Sequence, residues 1–205
     1  YIENPSEEMM IKAVNAGWSI LDYINNPTDK VIKLAINQAG WAIQYVKNPS
    51  EELQLLAVRK NYDSLKYIEN PSEKVQLEAI KISYESLRYL KSPSLNCQIV
   101  AIKNNESAIQ FIKDLNETKI SEFLKVNILV IKYITKEINK VDIKEILKEV
   151  LSKEDVEEKY VRDFLHCSMI DRNSEIVPID KIMFIHKYGS KKSKKIAVDE
   201  RLKMI

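Results

Sequence analysis

His166 and His186 are the only histidines of the chain, and Cys97 and Cys167 its only cysteines. They are the candidates for a metal site or a thiolate–imidazole pair. Zinc ligands close in sequence are normally spaced by two or more residues, whereas His166 and Cys167 are immediate neighbours. Cys167 and His186 could in principle form a nucleophile and its base, but nothing around them suggests an orienting acid or an oxyanion hole. His166 and Cys167 read instead as a helix end. Paired carboxylates recur at Glu7-Glu8, Glu51-Glu52, Glu154-Asp155 and Glu157-Glu158. Each pair falls in a first helical turn or on an exposed face, where acids compensate the helix dipole, so a glycosidase or nuclease role is not expected. The glycines are Gly17, Gly40 and Gly189, and no phosphate-cradling pattern is built on them. The chain is therefore expected to be a non-enzyme, with no catalytic, metal or cofactor-binding residues and no cofactor.

Two groups could instead bind a partner. Trp18 and Trp41 follow Gly17 and Gly40, and Tyr62 and Tyr84 hold the related place further on. These four could form a ligand-binding ladder, although aromatics at helical spacing more often pack inward. Lys187, Lys191, Lys192, Lys194 and Lys195 could hold phosphates of RNA or DNA, or another acidic partner, by counterion release. Phe184 and Tyr188 could stack on bases. Lysine-rich segments are also ordinary solubilising devices.

The elements that must position these residues are written in a repeat. Tyr-x-x-x-Pro occurs at Tyr1/Pro5, Tyr23/Pro27, Tyr45/Pro49, Tyr67/Pro71 and Tyr89/Pro93, and successive prolines stand 22 residues apart. Repeats start at Pro5, Pro27, Pro49, Pro71 and Pro93, and a degenerate one at Leu115. A register kept this strictly is the mark of a repeat architecture. In the first five repeats the ninth place is always alanine (Ala13, Ala35, Ala57, Ala79, Ala101), and the tenth is valine or isoleucine. Cys97 takes the place of Met9, Val31, Leu53 and Val75, so it reads as a small core residue. The apolar spacing predicts an amphipathic helix of about eleven residues, followed by a shorter helix that carries a Leu/Ile and a Tyr position. Asn48 could cap the first helix with Pro49 at its first position, or Ser50 could cap it with Glu51 and Glu52 in the first turn. Neither helix is long enough to stand alone, so each repeat must bury its stripe against its neighbour.

The "NPSEE" and "NPSEK" starts followed by "LQLLAV" and "VQLEAI" resemble the short helical repeats of some bacterial and viral proteins. They are also similar to HEAT-like and leucine-rich-repeat-variant solenoids. The resemblance covers about the first two thirds of the chain. It implies a solenoid and a binding habit, and it brings no catalytic residues with it.

Beyond residue 136 the period fades. Residues 1–136 are expected to form the solenoid, and 137–205 a helical cap with a basic tail. Ile143, Ile146, Leu147 and Val150 predict one helix. Ser152 and Asp155 offer a capping box for another, which buries Val156, Tyr160, Val161, Phe164 and Leu165. In the tail, Ile182–Tyr188 and Ile196–Val198 read as a β-hairpin or an extended stretch, and Val177–Ile179 as a short extended piece. The fold class expected is all-α: an α-solenoid of short two-helix repeats with a helical cap and a small β-prone tail. Net charge is +2 overall but +6 over residues 181–205.

With 45% hydrophobic and 30% charged residues the chain can build a core, and its longest apolar run, Val126–Ile134, is too short to span a bilayer. Two cysteines make no disulfide framework, which points to a reducing, cytoplasmic setting. The chain begins without Met inside the repeated phrase, so further residues are expected upstream. The composition suggests a bacterial or phage origin. The expected function is a non-catalytic scaffold that binds another protein through a solenoid face, with no membrane association. The alternatives are a nucleic-acid-associated protein, or an inhibitor of a nucleic-acid enzyme, acting through the basic tail, and the repeat part of a larger enzyme.

Overall fold

The computed structural model describes residues 5–134 and 141–203. Six α-helices of ten residues recur along the repeats: α1 (Glu7–Ala16), α2 (Asp29–Gln38), α3 (Glu51–Lys60), α4 (Glu73–Ile82), α5 (Leu95–Asn104) and α6 (Glu117–Val126). One residue later each is followed by six residues of 3₁₀ helix: Trp18–Tyr23, Gly40–Tyr45, Tyr62–Tyr67, Tyr84–Tyr89, Glu106–Phe111 and Ile128–Tyr133. The shorter helix expected in each repeat is thus a 3₁₀ helix. Six residues can hardly propagate an α-helix, and the tighter winding suits a short connector.

The structure decides between the two capping readings. Ser6, Thr28, Ser50, Ser72 and Ser94 accept from the backbone N–H of Met9, Val31, Leu53, Val75 and Cys97, at 3.2–3.5 Å. Asn26, Asn48 and Asn70 do not cap; they adopt left-handed backbone, with φ of 51°, 48° and 49°. Asparagine tolerates that region better than other residues with a side chain. In the sixth repeat Asn116 takes the cap position and accepts from Lys119 N–H at 2.9 Å.

Contacts divide the chain into two compact units, Tyr1–Ala101 and Ile102–Ile205. The boundary expected at 136/137 falls in 135–140, outside the described residues. In the first unit α1 packs on α2, α2 on α3 and α3 on α4, and successive 3₁₀ helices touch in the same order. Ala35, Ala57 and Ala79 are fully buried where neighbouring helices pack, and so are Val14, Ile36, Val58 and Ile80. Each buried Val or Ile contributes about 1.5–3 kcal/mol. Ala13, at the start of the array, is half-buried. A polar ladder runs beside the core. Glu7 accepts from the Thr28 hydroxyl at 2.7 Å, Glu51 from Ser72 at 2.7 Å and Glu73 from Ser94 at 2.6 Å. One hydroxyl therefore caps its own helix and ties it to the previous repeat.

The second unit carries α6 with its 3₁₀ helix, then α7 (Ile143–Leu151), α8 (Glu158–His166), α9 (Lys181–Tyr188) and α10 (Lys191–Leu202). Tyr160 of α8 is buried and donates to Leu124 O at 2.8 Å. Between α8 and α9, β1 (Ile170–Asp171) pairs in parallel with β2 (Val177–Pro178), which is the extended piece expected there. The fold class is all-α apart from this short pair. Among the described residues no helix is long and apolar enough to cross a membrane.

Two expectations for this unit are corrected. The tail is neither a β-hairpin nor extended, since Ile182–Tyr188 lies in α9 and Ile196–Val198 in α10. Asp180 caps α9 through Met183 N–H, and Ser190 caps α10 through Ser193 N–H, both at 3.1 Å. Tertiary burial of Ile185, Ile196 and Ala197 overrides the β propensity of these runs. The Ser152–Asp155 capping box does not form either. Ser152 closes α7, its hydroxyl donating to Glu149 O at 3.1 Å, and α8 starts only at Glu158.

Candidate interaction surface

The 3₁₀ helices of the first unit set an aromatic edge. The ring of Trp18 stacks on Tyr45, with centroids 6.2 Å apart, and meets Trp41 at 6.5 Å in a tilted arrangement. Trp41 Nε1 donates to Asp63 at 2.7 Å. Lys66 pairs with Asp63 at 3.3 Å and lies over the rings of Trp41 and Tyr67, at 5.9 and 4.9 Å. Tyr62 donates to Glu85 at 3.2 Å, and burial pushes its phenol pKa up. Trp18, Tyr45 and Tyr62 lean on the core, while Trp41 and Tyr67 remain 36% and 38% exposed. The choice between core and ladder therefore has a divided answer. Trp18, Tyr62 and Tyr84 are half-buried, and Trp41 faces outward.

Gly40 explains why Trp41 stands one place out of register. The first 3₁₀ position holds Trp18, Tyr62 and Tyr84 in other repeats, but at Gly40 a Cβ would sit 2.3 Å from Ala57 O. Two backbones meet there, and the Gly40 N–H also donates to the Asn61 side chain at 2.9 Å. The aromatic residue is displaced to the next position, which points outward.

All five lysines are exposed, Lys187 on α9 and Lys191, Lys192, Lys194 and Lys195 on α10. Lys191, Lys192 and Lys194 lie in the first turn of α10, where the helix dipole disfavours cations by about 0.3–1 kcal/mol each, and Lys195 follows directly. The Lys191 N–H donates to Glu154 at 3.2 Å. Lys187 lies 4.9 Å over the Tyr188 ring and lowers that phenol's pKa. Phe184 packs against Phe164 and Tyr188, at 6.2 and 4.9 Å, and is half-buried, which leaves it poorly placed to stack on a base.

Cys97, Cys167 and His166 are engaged in packing or pairing, while His186 is exposed on α9. Both thiols are free and buried, and burial pushes the Cys97 pKa up. His166 Nε2 is 2.9 Å from Glu200, a buried carboxylate that also pairs with Arg162 and, at 2.8 Å, with Lys203. This cluster pins α10 to α8. No group of three or more His, Cys, Asp or Glu among the described residues is placed to hold a metal ion.

Sequence reasoning missed Asp63, Lys66 and the exposure of Tyr67. Tyr67 stands in the sequence as part of the Tyr-x-x-x-Pro signature; the signal available was the charged residue beside each tyrosine in "YDSLKY". Comparison with protein-family models, curated proteins and solved structures finds no match to this chain.

Proposed function

We propose that this protein is a non-catalytic binding scaffold that recognises a protein partner through the 3₁₀ edge of its first unit. The observation that carries this reading is the outward placement of Trp41 and Tyr67 beside Lys66 and Asp63. Large aromatic side chains fixed by a rigid core lose little entropy on binding and dominate interface energetics. The opposite, α-helical side of the repeats carries ion pairs such as Lys33–Glu52 and Lys74–Glu51, which contribute little when exposed. We place the function in a reducing interior, where both thiols stay free.

A second reading, a nucleic-acid-associated role for the lysines of α10, is supported by the concentration of cations in its first turn. Comparative capture from source cells separates the two. Under the first reading, a protein retained by the wild type is lost with a Trp41→Ala/Tyr67→Ala double variant that keeps its helical circular dichroism. Retention unaffected by that variant but abolished by nuclease would overturn it in favour of the second.

A further inference from the structure

The pair α9–α10 carries a surface that the aromatic edge does not account for. Ile182, Met183, Val198 and Leu202 are 38%, 62%, 59% and 66% exposed on these two short helices. Gly189 joins the helices in a tight corner, since a Cβ there would lie 2.7 Å from Ile185 O of α9 and 3.2 Å from the Ser193 Cβ of α10. The corner leaves a notch of ≈ 170 Å³ between Ile182, Ile185, Ala197 and Val198, bordered by Lys194 and Arg201. Small-molecule pockets usually start near ~300 Å³, so this notch suits a side chain rather than a whole ligand.

A wider cleft of ≈ 700 Å³ adjoins the notch and shares Ile182, Ala197 and Arg201 with it. Most charges of the wider cleft are already satisfied. Arg172 pairs with Asp180, and Glu200 with Arg162, His166 and Lys203. Lys181 donates to Leu165 O at 2.7 Å and Cys167 O at 3.0 Å. Arg201, which lines both cavities, forms no ion pair with any described residue, and neither does Lys194. A guanidinium with open donors beside an apolar notch is a receptor for a carboxylate next to an aliphatic side chain.

We infer that the α9–α10 groove seats a short acidic segment of a partner protein, an aliphatic side chain entering the notch and a neighbouring carboxylate pairing with Arg201. Charge complementarity argues for this occupant, because residues 181–205 carry eight Lys and Arg against two Asp and Glu, and Glu200 is consumed internally. Nucleic acid would leave the four exposed aliphatic residues unused. A bilayer surface would leave the concave notch unfilled.

Fluorescence anisotropy on the full chain tests this, with a short fluorescein-labelled Glu/Leu peptide as probe. The comparison probes are the same peptide with Ser for Leu, the same peptide with Lys for Glu, a labelled single-stranded oligonucleotide and phosphatidylserine vesicles. The Glu/Leu peptide should bind, and either peptide change should weaken it ~10-fold or more. Val198→Ser and Arg201→Glu, both at exposed positions, should weaken it similarly, while Lys191→Glu, outside the notch, should change it less than ~3-fold. Three results would overturn the inference: no binding of the Glu/Leu peptide, equal loss with Lys191→Glu, or tighter binding of oligonucleotide or vesicles that ignores Val198→Ser.

Discussion

At Gly40 the space for a methyl group is occupied by the Ala57 carbonyl, whereas at Gly17 nothing lies within 4 Å of where a Cβ would be. Gly17 is also extended, with φ of 175°, a conformation open to any residue. Two glycines that look alike in the sequence therefore predict opposite outcomes. Gly40→Ala should lower stability by about 1–3 kcal/mol, as overpacking does. Gly17→Ala should stay within about 0.5 kcal/mol of the wild type. Urea unfolding followed by tryptophan fluorescence compares the two, because Trp18 and Trp41 both lie in the first unit. Equal midpoints for the two variants would show that the close approach is not there. The same contact moves Trp41 outward, so it also shapes the proposed binding edge. The "NAG" and "QAG" tripeptides gave no hint of this, because the clash comes from a residue in the next repeat.

At the scale of the element, the N-terminus of each α-helix does two jobs. The capping hydroxyl satisfies its own first turn and donates to a carboxylate one repeat earlier. Hydrogen bonds from Thr28, Ser72 and Ser94 lower the pKa of Glu7, Glu51 and Glu73, with Lys30, Lys74 and Asn96 adding to the effect. A carboxylate whose folded pKa is depressed contributes stability above its ordinary pKa and loses it as pH falls through the folded value. Stability of the first unit should therefore fall between about pH 6 and pH 3, and less steeply when all three glutamates are replaced by glutamine. Urea midpoints across that range measure the slope, and parallel curves for the two proteins would remove the ladder from the account. The period, the helix starts and the buried columns were legible, because each repeat carries the same local signals at Pro49, Ser50, Ala57 and Leu65. The 3₁₀ character of the second helix was not legible, since apolar spacing over six residues fits either winding. The tail misled for a different reason. Ile182–Tyr188 is rich in β-prone residues, and its helical fate depends on the caps Asp180 and Ser190 and on burial of Ile185 among distant residues.

For the whole molecule, the proposed role is recognition by a fixed surface. The first unit devotes its interior, Cys97 included, to stacking and leaves an aromatic edge outside, while the second buries Cys167 and ties up His166 in an ionic cluster. The candidate residues were legible as types: tryptophans, tyrosines and a lysine-rich tail. Their exposure was not, because it depends on which side chains lean against the next repeat. Trp18 and Trp41 differ by one register place in the sequence and by their side of the edge in space. Site-specific photo-crosslinking in source cells tests the claim most directly, with benzoylphenylalanine placed at Tyr67 on the edge or at Lys12, an exposed position on α1. A discrete protein adduct from position 67 and none from position 12 is the result expected. An adduct from position 12 with none from position 67 would contradict recognition through this edge.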